Sequence, residues 1–159
     1  MEDHEKLIET FYRAFQRRDW AAMQGCYHDQ VDFSDPVFVN LVGSQAKAMW
    51  HMLLANATEL EVTFSNIQAD QERGSCRWEA TYLFSQTGRR VHNKIRASFR
   101  FSDNKIILHR DEFDLWKWSQ MALGFSGTLF GWSSYGKGKI REKALQNLYR
   151  FIEKNPQYK

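Results

Sequence analysis

Apolar residues recur at helical spacing in the first half of the chain and at strand spacing in much of the second. In "EKLIETFYRAF", Leu7, Ile8, Phe11 and Phe15 fall on one stripe, which predicts an amphipathic helix. Asp19 stands where an N-cap would open a short second helix, "WAAMQGCY". "VDFSDPVF" reads as a short strand interrupted at Pro36. "SQAKAMWHMLLANA" predicts a third helix, with Ser44 as N-cap and Met49, Trp50, Leu53 and Leu54 apolar.

From Leu60 the period changes to two. Four strands are predicted: Glu61–Ala69, Ser75–Ser85, Arg90–Ser102 and Lys105–Trp118, with turns at "DQERGS", "QTG" and "SDNK". A Gly-rich apolar segment, "LGFSGTLFGWSSYG", follows, readable as a lid or an interface. A last amphipathic helix is expected over roughly Lys139–Lys154. Helices first and an antiparallel meander later imply an α+β domain.

The turns set a register. With Asp103-Asn104 as a two-residue turn, Phe101 faces Ile106, Ala97 faces Arg110, Ile95 faces Glu112 and Asn93 faces Asp114. With Thr87-Gly88 as the other, Tyr82 faces Asn93 and Trp78 faces Ala97. Alternation then puts Trp78, Tyr82, Asn93, Ile95, Leu108 and Trp116 on the core face. The opposite face carries a row of alternating charge, Glu79–Arg96–Asp111, and also His92 and His109. In this register Asp111 is an outer ion pair, and Glu112 pairs with Arg110 on the inner side. Asp114 ends an inner row, Tyr82–Asn93–Asp114. An apolar setting would raise its pKa and poise it for proton transfer. The alternative is an aspartate near the strand end that is solvated or caps a turn.

Composition narrows the options. A chain of 159 residues is one domain by size and can bury an adequate core. No apolar run is long enough for a membrane span, and "MEDHEKLIETFYRAF" has no signal-peptide core. Cys26 and Cys76 lack metal spacing and read as buried free thiols of a reducing compartment, so a cytoplasmic location is expected. The net charge of +3 is small, and neither a nucleic acid nor a membrane is expected as partner. No histidine pair has metal-ligand spacing, and no Gly-rich phosphate loop follows a strand.

The three helices, the strand broken at "DP" and the meander ending in "HRDEFDLWKWSQMALG" resemble the SnoaL-like polyketide cyclase and ketosteroid isomerase superfamily, over almost the whole chain. The resemblance implies the cone-shaped α+β fold of nuclear transport factor two. A curved antiparallel sheet would carry three N-terminal helices on its concave face, as one domain over 1–159 with a helical extension at about 119–159. It also implies acid/base chemistry without metal or cofactor. "YHDQVDFSDPVF" resembles the stretch in which ketosteroid isomerases carry their general base, which lands on Asp35. "FD" before "ALG" resembles the cyclase segment with the catalytic acid/base, which lands on Asp114. The isomerase oxyanion-hole tyrosine aligns with Phe11, beside Tyr12, and its second donor aligns near Ala97. Without those donors a dienolate loses its main stabilisation, so a steroid isomerase is not expected. Asp35, Arg110 and Asp114 could imitate the Asp-Arg-Asp set of the epoxide hydrolases.

The expected site is a hydrophobic pocket between sheet and helices. Its catalytic candidates are Asp114 and Asp35. Its ligand-binding candidates are Tyr12, Trp50, Trp78, Tyr82, Asn93, Arg110 and Trp116, with Phe15 also in the lining. The leading expectation is an enzyme that isomerises, cyclises, dehydrates or hydrolyses a hydrophobic small molecule. A ligand-binding module and an assembly module stand beside it. A homodimer is expected because Ile107 and Phe113 make the outer face of the last strand apolar.

Overall fold

The computed structural model describes residues 2–159. It is an α+β structure with α1 (Glu2–Gln16), α2 (Trp20–Gly25), β1 (Tyr27–Ser34), β2 (Leu41–Val42), α3 (Ser44–Asn56), β3 (Thr58–Ala69), β4 (Arg73–Leu83), β5 (Arg90–Ser102), β6 (Lys105–Glu112), α4 (Leu115–Leu123), α5 (Phe125–Phe130) and α6 (Ser134–Lys154). The stripe of α1 is buried as its spacing requires, with Ile8, Phe11 and Tyr12 fully inaccessible. Asp19 caps α2 by accepting from the Ala22 amide at 3.0 Å. The cap of α3 is Gly43, one residue before the expected Ser44. It has φ +58°, and a Cβ there would lie 2.8 Å from the Asp29 carbonyl oxygen, so glycine fits where serine would not.

The six strands form one curved, unclosed sheet in the order β2-β1-β6-β5-β4-β3. Strands β3 to β6 are the expected antiparallel meander, and β1 adds to β6 in parallel. Helix α1 packs on β3 and β4, α3 on β1 and β2, and α6 on α3. One aromatic-rich core lies between helices and sheet, with Phe11, Phe33, Trp50, Trp78 and Phe99 buried.

Both expected registers change. The β4–β5 turn is longer than two residues: the Phe84 amide donates to the Arg89 carbonyl, and the Thr87 and Gly88 amides donate back to Phe84. Trp78 therefore faces Ile95, Ala80 faces Asn93 and Tyr82 faces Val91. A slip of two residues preserves the faces. The β5–β6 hairpin departs more seriously. It begins as expected with Phe101 opposite Ile106, but Arg100 then pairs with Leu108, leaving Ile107 as the extra residue of a β-bulge. Beyond Ile107 every side chain is turned over. Ala97 faces Asp111 and Arg96 faces Glu112. His109 and Asp111, expected outside, are buried, while Glu112 is exposed.

Neither expected row forms. Glu79 sits opposite Lys94 and contacts His92 at 2.6 Å. Strand β6 ends at Glu112, short of Trp118, because Leu115, Ser119 and Ala122 bury themselves at helical spacing in α4. Asp114 is the N-cap of that helix, exposed, accepting from the Lys117 amide at 3.1 Å. The apolar outer row behind the dimer expectation is also lost: Ile107 lies in the bulge and Phe113 packs against the core.

Candidate functional site

Two carboxylates meet the interior, Asp35 and Asp111. Asp35 follows the last residue of β1, where Pro36 cannot continue a ladder and the chain turns. Its amide donates to the Phe38 carbonyl at 2.7 Å, and its Oδ1 accepts from the Val37 and Phe38 amides at 2.7 and 2.6 Å. Among the described residues no hydrogen bond reaches Oδ2. The side chain is thus fixed by one oxygen and open at the other. Burial pushes its pKa up to about 7, and the charge of Asp111 adds to the rise. The backbone donors from Phe38 and Val37 pull the other way and do not offset the desolvation.

Asp111 sits differently. Its Oδ1 meets His109 Nε2 at 2.9 Å and accepts from Trp78 Nε1 at 3.2 Å. His109 Nδ1 meets the Tyr27 hydroxyl at 2.8 Å, and Trp50 Nε1 donates to that same hydroxyl at 2.8 Å. The indoles can only donate, which orders the protons. Tyr27 accepts from Trp50 and gives its own proton to His109 Nδ1. His109 Nε2–H then donates to the Asp111 carboxylate. The chain Trp50–Tyr27–His109–Asp111–Trp78 leaves none of these side-chain donors unpaired. It is dry: His109 is fully buried and Asp111 is 5% exposed.

The Tyr12 hydroxyl breaks the pattern. It is buried and has no hydrogen-bond partner among the described residues. Burial raises its pKa well above the usual tyrosine value, and the Cys76 thiol and Asp111 add to the rise. Burial also lifts Cys76 to about 12 and Cys26 to about 11, so both thiols are protonated at neutral pH.

The other candidates separate into two groups. Tyr12, Phe15, Trp50 and Trp78 converge in the core, with ring centroids 5.1 Å apart for Phe15–Trp50 and 5.9 Å for Tyr12–Trp78. They fill much of the space expected to be a pocket. Tyr82 lies nearer Asp35, whose charge helps raise its pKa after burial, and its hydroxyl accepts from Trp118 Nε1 at 2.8 Å. The remaining positions do not join the site. Asn93 is half-buried opposite Ala80. Arg110 reaches the Asp32 carboxylate at 3.1 Å. Trp116 is 39% exposed and donates to the Thr128 carbonyl at 3.4 Å. With Arg110 held by Asp32 and Asp114 capping α4, the Asp35–Arg110–Asp114 set is not assembled. Among the described residues no three His, Cys, Asp or Glu side chains cluster as a metal site. Two surface clefts, one beside His4 and Phe101, the other beside Arg73 and Leu108, do not include Asp35.

Residues 8–109 match the family model of the SnoaL-like domain. No curated protein is matched by the sequence. An LEH-like epoxide hydrolase from M. tuberculosis is similar in structure, with TM-score 0.64, 20% identity, and coverage of 83% of this chain and 93% of that one. A putative polyketide cyclase from Xanthomonas campestris pv. campestris gives TM-score 0.63, 18% identity, and coverage of 76% and 96%. AclR, a putative hydroxylase from Streptomyces galilaeus, gives TM-score 0.59, 20% identity, and coverage of 71% and 79%. At these identities the likeness establishes a shared fold, and chemistry has to be argued from the residues.

Proposed function

The chain belongs to the SnoaL-like domain family, and from that premise we propose that it is a cofactor-independent acid/base enzyme acting on a hydrophobic small molecule, with Asp35 as the proton-transferring carboxylate. One observation carries the reading. Asp35 is held rigidly through Oδ1, open at Oδ2, and has its pKa pushed to about 7. A general base works best when its pKa lies near the working pH. Asp35 exchanges a proton at neutral pH without waiting for a partner to dissociate.

The chemistry follows from the surroundings. Oδ2 accepts a proton from a weakly acidic C–H or from an attacking water, and returns it to the product. Asp111 is 5% exposed and tied through Oδ1 to His109 and Trp78, so it bears on Asp35 through its charge and not as an acceptor for substrate protons. That charge disfavours a second anion nearby and keeps Asp35 basic. Tyr82, whose hydroxyl is held by Trp118, lies close enough to feel the charge of Asp35 and is the candidate to orient the substrate. The named neighbours include an epoxide hydrolase and a putative polyketide cyclase, which supports epoxides and enolisable ketones as the first substrates to try.

The test is turnover of aliphatic epoxides and enolisable ketones by the wild type and by Asp35→Asn. The wild-type rate should rise as pH passes through about 7. Asp35→Asn should lower it by ~10²–10⁴-fold, the usual worth of a positioned acid/base group. An Asp35→Asn enzyme with wild-type turnover would remove the assignment.

A further inference from the structure

Helix α5 is turned the opposite way from an ordinary amphipathic helix. Its small residues face the protein. A Cβ at Gly127 would overlap the Ser119 carbonyl, and one at Gly131 would overlap the Ser119 hydroxyl. These two buried glycines let α5 lie flush on α4. The large apolar side chains consequently face water: Phe125 is 78% exposed, Leu129 50%, Phe130 56%, Trp132 64% and, at the start of α6, Tyr135 71%. Trp116 on α4 is a further exposed aromatic in this segment. Apolar residues gathered on one short segment mark an interaction surface, since singly scattered ones need no partner.

Charge selects the partner. Between Asp114 and Glu142 the sequence has no acidic residue, while Lys117, Lys137, Lys139 and Arg141 lie in the same stretch. Arg89 adds another cation, donating to the Met121 carbonyl at 2.9 Å with its guanidinium beside Gly124. A two-fold contact between copies would set this surface against itself, lysine toward lysine, and the carboxylate that follows the segment, Glu142, already pairs with Lys139 at 3.7 Å. An apolar surface with anionic groups at its boundary meets both requirements. Trp, Tyr and Phe settle at the headgroup level of a bilayer, and lysines there are attracted by anionic lipids.

We propose that the α4–α5 face, with the start of α6, docks on the surface of an anionic lipid bilayer. This is surface attachment, since no helix among the described residues is long and apolar enough to cross a membrane. The face is also tied to the candidate site. Arg141 of α6 donates to the Pro36 carbonyl at 2.8 Å, one residue from Asp35, and Trp118 of α4 donates to Tyr82. A docked molecule would hold the Asp35 turn near the phase into which apolar substrates partition. Docking itself does not depend on the catalytic reading.

Co-sedimentation of the full chain with phosphatidylcholine vesicles, with and without phosphatidylglycerol, tests it. The wild type should sediment with the anionic vesicles, far less with the neutral ones, and should be released by high salt. Phe125→Ser combined with Trp132→Ser, and separately Lys137→Glu combined with Lys139→Glu, should each weaken partitioning by about tenfold or more. Unchanged thermal melting of both variants would show that the loss is not unfolding. No sedimentation of the wild type with either vesicle would overturn the proposal, as would equal binding to both. A wild-type dimer that Phe125→Ser with Trp132→Ser dissociates, without vesicle binding, would assign the face to a second copy instead.

Discussion

Asp111 lies on β6 and Asp35 in the turn after β1, and their surroundings give these two aspartates opposite roles. Asp111 is enclosed by His109 and Trp78, and behind His109 stand Tyr27 and Trp50, each with its proton committed. Asp35 has two backbone donors on one oxygen and no recorded bond on the other. A carboxylate enclosed in the core and joined to a run of committed side-chain donors is a framework element, costly to interrupt. A carboxylate held only by backbone amides at a half-buried turn, with its other oxygen open, holds its proton near neutrality and can exchange it. Each takes its donors on a single oxygen; depth and the kind of partner separate them, since Asp111 is 5% exposed and paired with an imidazole, while Asp35 is half-buried and held only by backbone amides.

Removing one carboxylate or the other should have the largest and most different effects. Asp35→Asn should cost ~10²–10⁴-fold in turnover and leave the fold intact. Asp111→Ala should do the reverse in kind, losing on the order of 3–5 kcal/mol of stability because His109 and Trp78 are left with buried, unpaired donors. Urea unfolding of both variants measures this: equal stabilities for Asp35→Asn and Asp111→Ala would show that the two carboxylates do not differ in structural role.

Tyr27→Phe interrupts the chain one step away. It strands the Trp50 indole N–H and one nitrogen of His109, and should cost about 1–3 kcal/mol. A neutral effect on the unfolding midpoint would argue against a connected network.

The pH dependence of stability sharpens the contrast further. Asp35 has a folded pKa of about 7, above that of an ordinary aspartate near 3.8. Between those values the folded state holds a proton that the unfolded state has released. Stability from this group is therefore greatest at low pH, falls as pH rises from about 4 to about 7, and is flat above. The loss should be at most about 4 kcal/mol, less what solvent screening removes at this half-buried turn, and Asp35→Asn should abolish it. A wild-type stability profile that Asp35→Asn leaves unchanged over this window would count against the raised pKa.

The smallest effect concerns the exposed carboxylate. Asp114→Ala removes a helix cap and should cost about 1 kcal/mol, with turnover preserved. Greatly reduced turnover in this variant would return Asp114 to the chemistry.

Much of the fold was legible because it rests on patterns that survive small errors. The stripe of α1, the cap at Asp19, the period of two from β3 onward and the break at Pro36 all lie where the residues put them. The longer β4–β5 turn slipped the register by two, and a slip of two keeps each residue on its face. The site was less legible because one extra residue decides it. Ile107 bulges out of β6, and that reverses His109, Arg110, Asp111 and Glu112 together. Turn chemistry at Asp103-Asn104 fixes the start of that hairpin and carries no information about a bulge further along. Two signals were present all the same. His109 and Asp111 are two residues apart and must share a face, which made a buried pair as natural as an outer one. Asp114 followed by Leu115, Trp118, Ser119 and Ala122 has the spacing of a capped helix, so the strand had to end before it. Asp35 could be named from its resemblance to the isomerase base, but its open oxygen and raised pKa depend on packing that no local pattern encodes.

The most direct measurement needs no substrate. Carbon-detected NMR titration of the side-chain carboxyl of Asp35, assigned by comparison with Asp35→Asn, reads its proton occupancy in the folded protein. The midpoint should lie near 7, as a carboxylate poised for proton transfer at neutral pH requires. A midpoint near 4, the ordinary value for an aspartate, would contradict that role.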